Sequence, residues 1–464
     1  MKLFGINVTY QNVPKLDPAF IPLHVFNEAF LKTAQQPVGI AIERNDGQIA
    51  SYSTFIHGTA QMQEADVYYI DRFIKNILWM KGGFRIFICG DEAVSDRIQK
   101  AYAPFGSRSF DYSFMSRVYE AEMEVLRVSR IPDANETSYA VGRHLDGCRI
   151  GFDAGGSDRK VSAVIDGIAV YSEEVVWYPK VTADPDYHYR EIVSAFRTAA
   201  SYMPRVDGIG ISSAGVYVAN RTMVASLFIK VPEHHFNSKV KDIYLKAAAE
   251  IGDVPVVVCN DGDVTALAGA MSLNTNNVLG IAMGTSEAVG YVDSKGNITG
   301  WLNELAFAPV DASPEAMDDE WSGDIGCGVK YFSQDSICKL GLAAGIDLDE
   351  GKTPAEKLLI IQKLAEQGDA QANEVYESLG IYLGHTLPLY HNMYKFDKVL
   401  LLGRVMGGAG GNIIMDLAHK VLKEEYPDIE AVISVLLPDE QSRRIGQSVA
   451  AASLPDISKQ QTES

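Results

Sequence analysis

Short apolar runs alternate along this chain with longer segments in which apolar residues recur every three or four positions. Runs rich in Val and Ile that end at Gly, Asn or Asp are typical of buried strands, and the periodic segments are typical of amphipathic helices. The runs predict strands at 38–43, 49–55, 84–89, 150–153, 161–165, 168–171, 208–212, 254–259, 278–282, 288–292, 399–402 and 431–437. The periodic segments predict helices at 65–80, 189–203, 236–251, 331–341, 354–367, 369–394, 411–424 and 440–453, and a further helix beginning near Val264. This alternation predicts the α/β fold class.

The same pattern divides the chain into segments. Residues 1–147 have the order strand, strand, helix, strand, with a hairpin at Asn45-Asp46-Gly47, which predicts an N-terminal α/β domain. The segments 148–276 and 277–453 each open with a strand, a glycine-containing turn and another strand, which predicts two similar lobes. We interpret the N-terminal domain as a degenerate partial repeat of such a lobe. The polar residues 454–464 predict a flexible tail.

Composition narrows the classes of protein to consider. The chain of 464 residues is too long for one hydrophobic core, and its 47% hydrophobic and 22% charged residues are typical of globular proteins. Its net charge of −19 argues against nucleic acid or a membrane surface as the partner. None of its five cysteines lies in a Cys-x-x-Cys motif, and no apolar run has the length of a membrane span or the form of a signal peptide. These features predict a cytoplasmic protein without disulfides.

The segment 254–270, VPVVVCNDGDVTALAGA, carries the first candidate for chemistry. Asp261 directly follows its apolar strand, and open α/β sheets carry their chemistry at the carboxyl ends of strands. A carboxylate there can accept the proton of a hydroxyl group that attacks a phosphoryl group. The alternative interpretation is that Asp261 only caps the following helix, because Asn260, Asp261 and Asp263 are all common N-cap residue types. This segment alone leaves both interpretations open.

Five motifs occur in an order that resembles the ROK family, the sugar kinases and sugar-responsive repressors of the actin/hexokinase superfamily. They are GFDAGGSDRK at 151–160, GIGISSAGVYV at 208–218, CNDGDVTALAG at 259–269, MGTSEAVGYV at 283–292 and LLGRVMGGAGG at 401–411. The resemblance covers roughly residues 148–453. It implies a two-lobed actin/hexokinase-like fold, which is ribonuclease H-like, preceded here by the extra N-terminal domain.

The resemblance also implies roles for individual residues. It implies that Asp261 is the general base of a kinase that transfers the γ-phosphoryl group of Mg-ATP to a hydroxyl of a sugar or sugar derivative. The residues it implies for binding the acceptor are Asn260, Glu304 and Ser213. The residues it implies for binding the nucleotide are Asp153, Gly155, Gly156, Ser157, Gly284, Thr285, Ser286, Gly403 and Arg404. Asp153 can hold Mg²⁺ through water, and the glycines let backbone amides approach a phosphate. The resemblance leaves open whether the chain forms a homodimer.

The zinc site of the family is not preserved in this sequence. Phe307, in NELAF at 303–307, stands where the family has a zinc-ligating histidine, and Ser322 replaces the first cysteine of the zinc segment. Val329 stands where a sugar-binding glutamate is usual, whereas Cys327 remains. Because one thiolate cannot hold a tetrahedral zinc ion, we expect no zinc.

Three further departures lie in the motifs that face the nucleotide in the family. Glu287 follows the Gly284-Thr285-Ser286 turn, and we expect its side chain to point into solvent, the alternative being that it faces the phosphates. Arg404 replaces a glycine and can either obstruct or grip a nucleotide, and Asp158 stands where the family often has lysine. These changes keep a second interpretation open, a catalytically inactive sugar-binding regulatory protein. A DNA-binding repressor is disfavoured, because the charges of residues 1–147 are nearly balanced.

Overall fold

The computed structural model describes residues 1–137, 141–437 and 446–458. The strands in these residues are β1 Lys2–Leu3, β2 Ile6–Asn7, β3 Gln36–Glu43, β4 Ile49–Ile56, β5 Arg85–Cys89, β6 Glu124–Arg127, β7 Cys148–Ala154, β8 Asp158–Ile165, β9 Ile168–Val176, β10 Gly208–Ser213, β11 Val216–Val218, β12 Arg221–Val224, β13 Val256–Asn260, β14 Val278–Met283, β15 Glu287–Val292, β16 Lys398–Leu402 and β17 Ser434–Leu436. The helices are α1 Leu23–Leu31, α2 Gln63–Lys81, α3 Glu92–Ala101, α4 Ser109–Tyr119, α5 Pro185–Ala200, α6 Glu233–His235, α7 Ile243–Ala249, α8 Asp261–Ser272, α9 Gln334–Ala343, α10 Pro354–Glu366, α11 Ala370–Tyr394, α12 Ala409–Glu425, α13 Pro427–Glu430 and α14 Gln447–Ala452. These elements confirm the predicted α/β class.

The chain forms two compact units whose segments interleave along the sequence. The first unit consists of Met1–Glu136, Ile281–Val289 and Trp301–Leu437, and the second of Thr137–Gly280, Gly290–Gly300 and Pro438–Ser464. The N-terminal residues therefore group with the segment that contains β16 and β17. The boundaries expected at 147 and 276 stay predictions about domains.

The second unit is built on a five-stranded sheet with the order β13-β10-β7-β8-β9. The central strand β7 pairs antiparallel with β8, which pairs antiparallel with β9, whereas β10 pairs in parallel with both β7 and β13. The carboxyl ends of β7, β10 and β13 therefore meet at one edge of the sheet. In this register Ser212 lies beside Asp153, and Ser213 lies beside Asn260.

One face of this sheet is covered by apolar side chains, and the other is covered by a helix at close range. On the first face, Phe152 of β7 packs edge-on against Phe196 of α5, with ring centroids 5.4 Å apart. On the other face, α14 crosses the sheet directly over two glycines. A Cβ atom on Gly151 would overlap the carbonyl oxygen of Ser448, and one on Gly210 would overlap that of Ala451. These glycines let the helix backbone touch the sheet.

We expect Gly210→Ala to lower the free energy of unfolding by about 2 kcal/mol, because the added methyl group displaces a rigid helix backbone. The matched control is Gly252→Ala, since the nearest atom to a Cβ there is Val254 Cγ1 at 4.0 Å. The control should change the unfolding free energy by less than about 0.5 kcal/mol. Urea unfolding of both variants measures the difference, and equal losses would contradict this account of the contact.

The first unit contains two four-stranded sheets, ordered β4-β3-β5-β6 and β15-β14-β16-β17. The β3–β4 pair is antiparallel across Asn45–Gly47, which confirms the predicted hairpin. Unlike β7 and β10, which run in parallel, β3 and β5 run antiparallel. The interpretation of the N-terminal domain as a degenerate partial repeat stays a prediction.

Several predicted helix boundaries differ from the structure. The helix expected near Val264 begins at Asp261, because Asn260 supplies the cap. The helix expected at 236–251 is divided into a π-helical turn, Phe236–Val240, and α7. Part of the helix expected at 440–453, and the end of the expected tail, lie outside the described residues. Within the described ranges, none of the helices is both long enough and apolar enough to cross a membrane.

Candidate functional site

Two carboxylates and a serine meet at the carboxyl edge of the sheet in the second unit. Asp153, the residue before the last of β7, lies next to Ser212 of β10, and the Ser212 hydroxyl donates a hydrogen bond of 2.9 Å to Asp153 Oδ1. Gln447 Nε2 of α14 donates to Ser212 Oγ at 2.9 Å and to the backbone oxygen of Asp261 at 3.1 Å. The structure thus links the strand ends that carry Asp153 and Asp261, as the strand pattern predicts.

In the structure the helix α8 is capped by Asn260, so the Asp261 carboxylate does not serve as the cap. Asn260 is the N-cap of α8, since its Oδ1 accepts a hydrogen bond from Gly262 N at 2.7 Å. Asn260 Nδ2 donates to the carbonyl oxygen of Gly215 at 2.8 Å. The Asp261 carboxylate accepts from Gly262 N at 3.1 Å, and no side chain of the described residues donates to it. Asp261 is therefore available as a proton acceptor.

Burial sets the protonation of the two carboxylates. Burial raises the pKa of Asp153 to about 6. The charge of Asp261 adds to this rise, and the Ser212 hydrogen bond acts against it. Burial also raises the pKa of Asp261, and the amide of Gly262 and the charge of Lys180 offset part of that rise. Carboxylates whose pKa values are raised toward neutrality are suited to exchange protons at physiological pH.

The first turn of α8 is held rigidly against β15. A Cβ atom on Gly290 would overlap the carbonyl group of Gly262, so the strand and the helix touch through their backbones. Tyr291 N donates a hydrogen bond of 3.1 Å to Asp263 Oδ1, and Asp263 is buried. Asp263 is therefore a structural residue that fixes the direction in which α8, and with it Asp261, begins.

The turn between β7 and β8 contains Gly155, Gly156 and Ser157. Trp177, which is buried, donates from Nε1 to the Gly155 oxygen at 2.8 Å and from its backbone amide to the Ser157 oxygen at 3.1 Å. Gly156 and Ser157 are exposed. Trp177 thus holds the turn on its buried side, whereas the exposed side is accessible to a ligand, as a phosphate-binding turn requires.

Ser213 differs from its expected role. Its side chain is fully buried, and its hydroxyl forms hydrogen bonds of 2.7 Å with the hydroxyl groups of both Tyr217 and Tyr244. These bonds direct the Ser213 hydroxyl into the interior of the unit, so Ser213 does not present its side chain to an acceptor.

In the first unit, the turn Gly284-Thr285-Ser286 joins β14 to β15. Gly284 N donates to the Ser286 oxygen at 3.0 Å, and Thr285 and Ser286 are exposed. Gly403 follows β16 with a φ of 92°, and a Cβ atom there would overlap the backbone of Met283. The predicted nucleotide residues Gly284 to Ser286, Gly403 and the exposed Arg404 are thereby brought together at the ends of adjacent strands.

Comparison with known proteins identifies the fold. No protein-family model and no curated protein matches this sequence. A solved structure described as a ROK family transcriptional regulator, a homolog of the E. coli Mlc protein, is 18% identical with a TM-score of 0.51, over 67% of this chain and 79% of that one. The ROK hexokinase from Thermus thermophilus is 16% identical with a TM-score of 0.50, over 68% of this chain and 99% of that one. This chain has the ROK fold. The predicted actin/hexokinase-like fold is thus confirmed, and these identities are evidence for the fold alone.

Glu287 is the site residue for which both interpretations of the sequence are wrong. It is only 4% exposed, and Tyr390 donates from its hydroxyl to Glu287 Oε1 at 3.4 Å. Glu287 Oε2 lies against Gly328 and has no hydrogen-bond partner among the described residues. Burial raises the pKa of Glu287 to about 8. The charge of Glu304 adds to this rise, and the Tyr390 hydrogen bond acts against it. Alternate residues of β15 face inward, and Glu287 shares that face with Val289.

The loop of the ROK fold that carries Glu304 is bound to the N-terminal part of the chain. The backbone amides of Leu302, Asn303 and Glu304 donate to the last carbonyl groups of α2 at 3.3, 3.0 and 2.9 Å. Phe307, at the histidine position of the family, packs against Trp79 of α2 with ring centroids 4.6 Å apart. An aromatic cluster therefore occupies this position.

The segment that contains Ser322 and Cys327 is held by hydrogen bonds and ion pairs. Ser322 Oγ donates to Asp319 Oδ2 at 2.5 Å and lies 3.9 Å from Cys327 Sγ. Burial raises the pKa of Cys327 to about 11, so its thiol is neutral near pH 7. Asp324 forms ion pairs of 2.7 Å with each of three cations, which are Arg72, Lys75 and Arg108. Across the described ranges, no three His, Cys, Asp or Glu side chains form a metal-binding group, and the expected absence of zinc stays a prediction.

Residues that the sequence analysis missed include Ser212, Gln447 and Lys180. Ser212 lies inside the 208–218 motif, and its place beside Asp153 follows from strand register, which the motif does not reveal. Gln447 reaches the site from the far end of the chain and Lys180 from the turn that follows β9, and no local pattern marks either residue.

Proposed function

We propose that this chain is an ATP-dependent kinase that phosphorylates a hydroxyl group of a sugar or sugar derivative, with Asp261 as the general base. The observation that carries the proposal is the state of Asp261 at the end of β13. Asn260 caps the helix in its place, so the Asp261 carboxylate has no side-chain donor among the described residues. A solved structure with this fold is described as a ROK hexokinase, which supports the same class of reaction.

The donor set of the second unit is compatible with a magnesium nucleotide. Mg²⁺ is usually bound through one or two carboxylates together with water and substrate phosphates. Asp153 uses Oδ1 to accept from Ser212, which leaves Oδ2 for a water ligand of the ion. The exposed amides of Gly156 and Ser157 can bind phosphate oxygens, and we assign the same role to Thr285 and Ser286. The bound ion would neutralise charge on the phosphates.

Asp261 would accept the proton of the acceptor hydroxyl as its oxygen attacks the γ-phosphorus atom. The new oxygen–phosphorus bond forms while the bond between the γ-phosphorus and the bridging oxygen breaks, and ADP leaves with that electron pair. Asn260 retains one N–H and one lone pair beyond its capping bonds, so it can still contact the acceptor. We assign the other acceptor contact to Glu304, and the adenosine side of the nucleotide to Gly403 and Arg404.

A thermal-shift panel of sugars, with and without Mg-ATP, followed by an assay of ADP release, tests this proposal. We expect both Mg-ATP and the true acceptor to raise the melting temperature, because a ligand at 100 times its Kd stabilises a protein by about 2.7 kcal/mol. The stabilising sugar should then release ADP from ATP. Stabilisation by sugar alone, without nucleotide binding in calorimetry, would overturn the kinase and favour the sugar-binding regulator.

A further inference from the structure

Lys180 lies over the glycine turn of the second unit. A Cβ atom built on Gly156 would be 3.0 Å from Lys180 Cε and 3.1 Å from Lys180 Nζ, so the end of the lysine side chain fills the space next to this glycine. The same charge lowers the pKa of Asp261, which indicates that the ammonium group also acts on the proposed base. Lys180 therefore lies near both the exposed turn and the carboxylate.

The backbone that carries Lys180 is anchored, although its side chain is exposed. Trp177 lies three residues before Lys180, and it donates hydrogen bonds to the backbone oxygens of Gly155 and Ser157 in the turn. Lys180 is the middle residue of a 3₁₀ turn, Pro179–Val181, and the Thr182 hydroxyl donates to the Tyr178 oxygen at 2.6 Å behind it. The turn and the lysine are therefore held in a fixed relation by one tryptophan.

Lys180 has no ion-pair partner among the described residues around the turn. The lysine of the 151–160 motif, Lys160, lies 3.8 Å from Asp158 and 3.7 Å from Glu174, so its charge is already shared between carboxylates. Among the described residues no carboxylate lies within 4.0 Å of Lys180 Nζ, and none accepts a hydrogen bond from it. An ammonium group without an ion-pair partner can bind an incoming anion without first breaking a salt bridge.

We propose that Lys180 binds the terminal phosphate oxygens of a phosphoanhydride chain, such as that of a nucleoside triphosphate, at the Gly155-Gly156 turn. The inference rests on the proposed function. Asp153 and Asp261 are both acidic, and a polyphosphate that approaches them is repelled unless a cation lies between. A lysine supplies that charge as a mobile point charge on a flexible stem, which is how lysines commonly bind phosphates. Lys180 thus supplies the positive charge that Asp158 cannot supply.

Calorimetry with magnesium tripolyphosphate as the probe tests the proposal without requiring the sugar to be known. We expect Lys180→Ala to weaken binding about 10- to 100-fold, the usual worth of a hydrogen bond to a charged group. Lys180→Arg should retain affinity within about 3-fold, because the positive charge is kept. The matched control is Lys230→Ala, another exposed lysine of the same unit, which should bind the probe as the wild type does. All variants should keep the wild-type melting temperature.

The outcomes separate this inference from the kinase proposal. Equal affinities of the wild type and Lys180→Ala, or an equal loss in Lys230→Ala, would overturn the role of Lys180 and leave the kinase proposal to its own assay. A wild type that does not bind tripolyphosphate would overturn it as well. A selective loss in Lys180→Ala would support the phosphate site even if every sugar in the panel failed to release ADP.

Discussion

Asp261→Asn is expected to lower turnover by about two to four orders of magnitude, which is the contribution of a positioned general base. The substituted amide has the same shape and can still accept from Gly262 N, but it cannot take a proton from the acceptor. Because Asn260 caps α8, the substitution should leave the helix intact. Steady-state ADP release at saturating sugar measures the loss, and circular dichroism checks the fold.

The matched control for this variant is Asp263→Asn, because the amide oxygen of asparagine can still accept from Tyr291 N and hold the first turn of α8 in place. Its turnover should stay near that of the wild type. The wild-type pH profile adds a check, because a base must be ionised and burial raises the pKa of Asp261. When the pH is lowered, turnover should therefore begin to fall at a pH above 3.8, which is the ordinary pKa of an Asp side chain. If Asp261→Asn keeps more than a tenth of the turnover, Asp261 is not the base.

Glu287→Gln is expected to stabilise the first unit at neutral and alkaline pH. The folded pKa of about 8 lies above the ordinary value of 4.5, so the folded state holds a proton that the unfolded state releases. Below pH 4.5 both states are protonated and the carboxyl group costs nothing. As the pH rises from 4.5 to 8, the wild type loses stability, on the order of 3 kcal/mol by pH 7. Glutamine does not titrate and should remove most of this loss.

Urea unfolding at pH 5 and pH 8 measures the effect, with the exposed Glu350→Gln as the control. The stability of Glu287→Gln relative to the wild type should rise between the two pH values, whereas Glu350→Gln should follow the wild type. A wild type whose stability does not fall across this range, or a variant that is less stable at pH 8, would contradict the burial of Glu287. Because Glu287 faces the interior, Glu287→Gly should leave a cavity.

The strand pattern predicted the parts of the site that depend on local sequence. Asp153 and Asp261 each lie at the carboxyl end of a predicted strand, and parallel strands carry such residues to the same edge. The pattern could not reveal that Gln447 returns from the far end of the chain to bridge them, because that contact depends on packing. For Glu287, the sequence analysis followed the residue type, which favours an exposed side chain, and placed the residue before the strand 288–292. In the structure Glu287 is the first residue of β15 and its side chain is buried, which raises its pKa.

The backbone hydrogen bonds between the 302–304 loop and the end of α2 have a consequence for evolution and for protein engineering. Because the loop amides donate to the last carbonyl groups of α2, an insertion or deletion in either segment breaks hydrogen bonds of the other, so the two segments form one heritable module. A transfer of the 302–304 loop into another protein would therefore have to carry the end of α2 with it. The N-terminal residues are in this sense a scaffold for the loop, and their removal would leave its three amides without these acceptors.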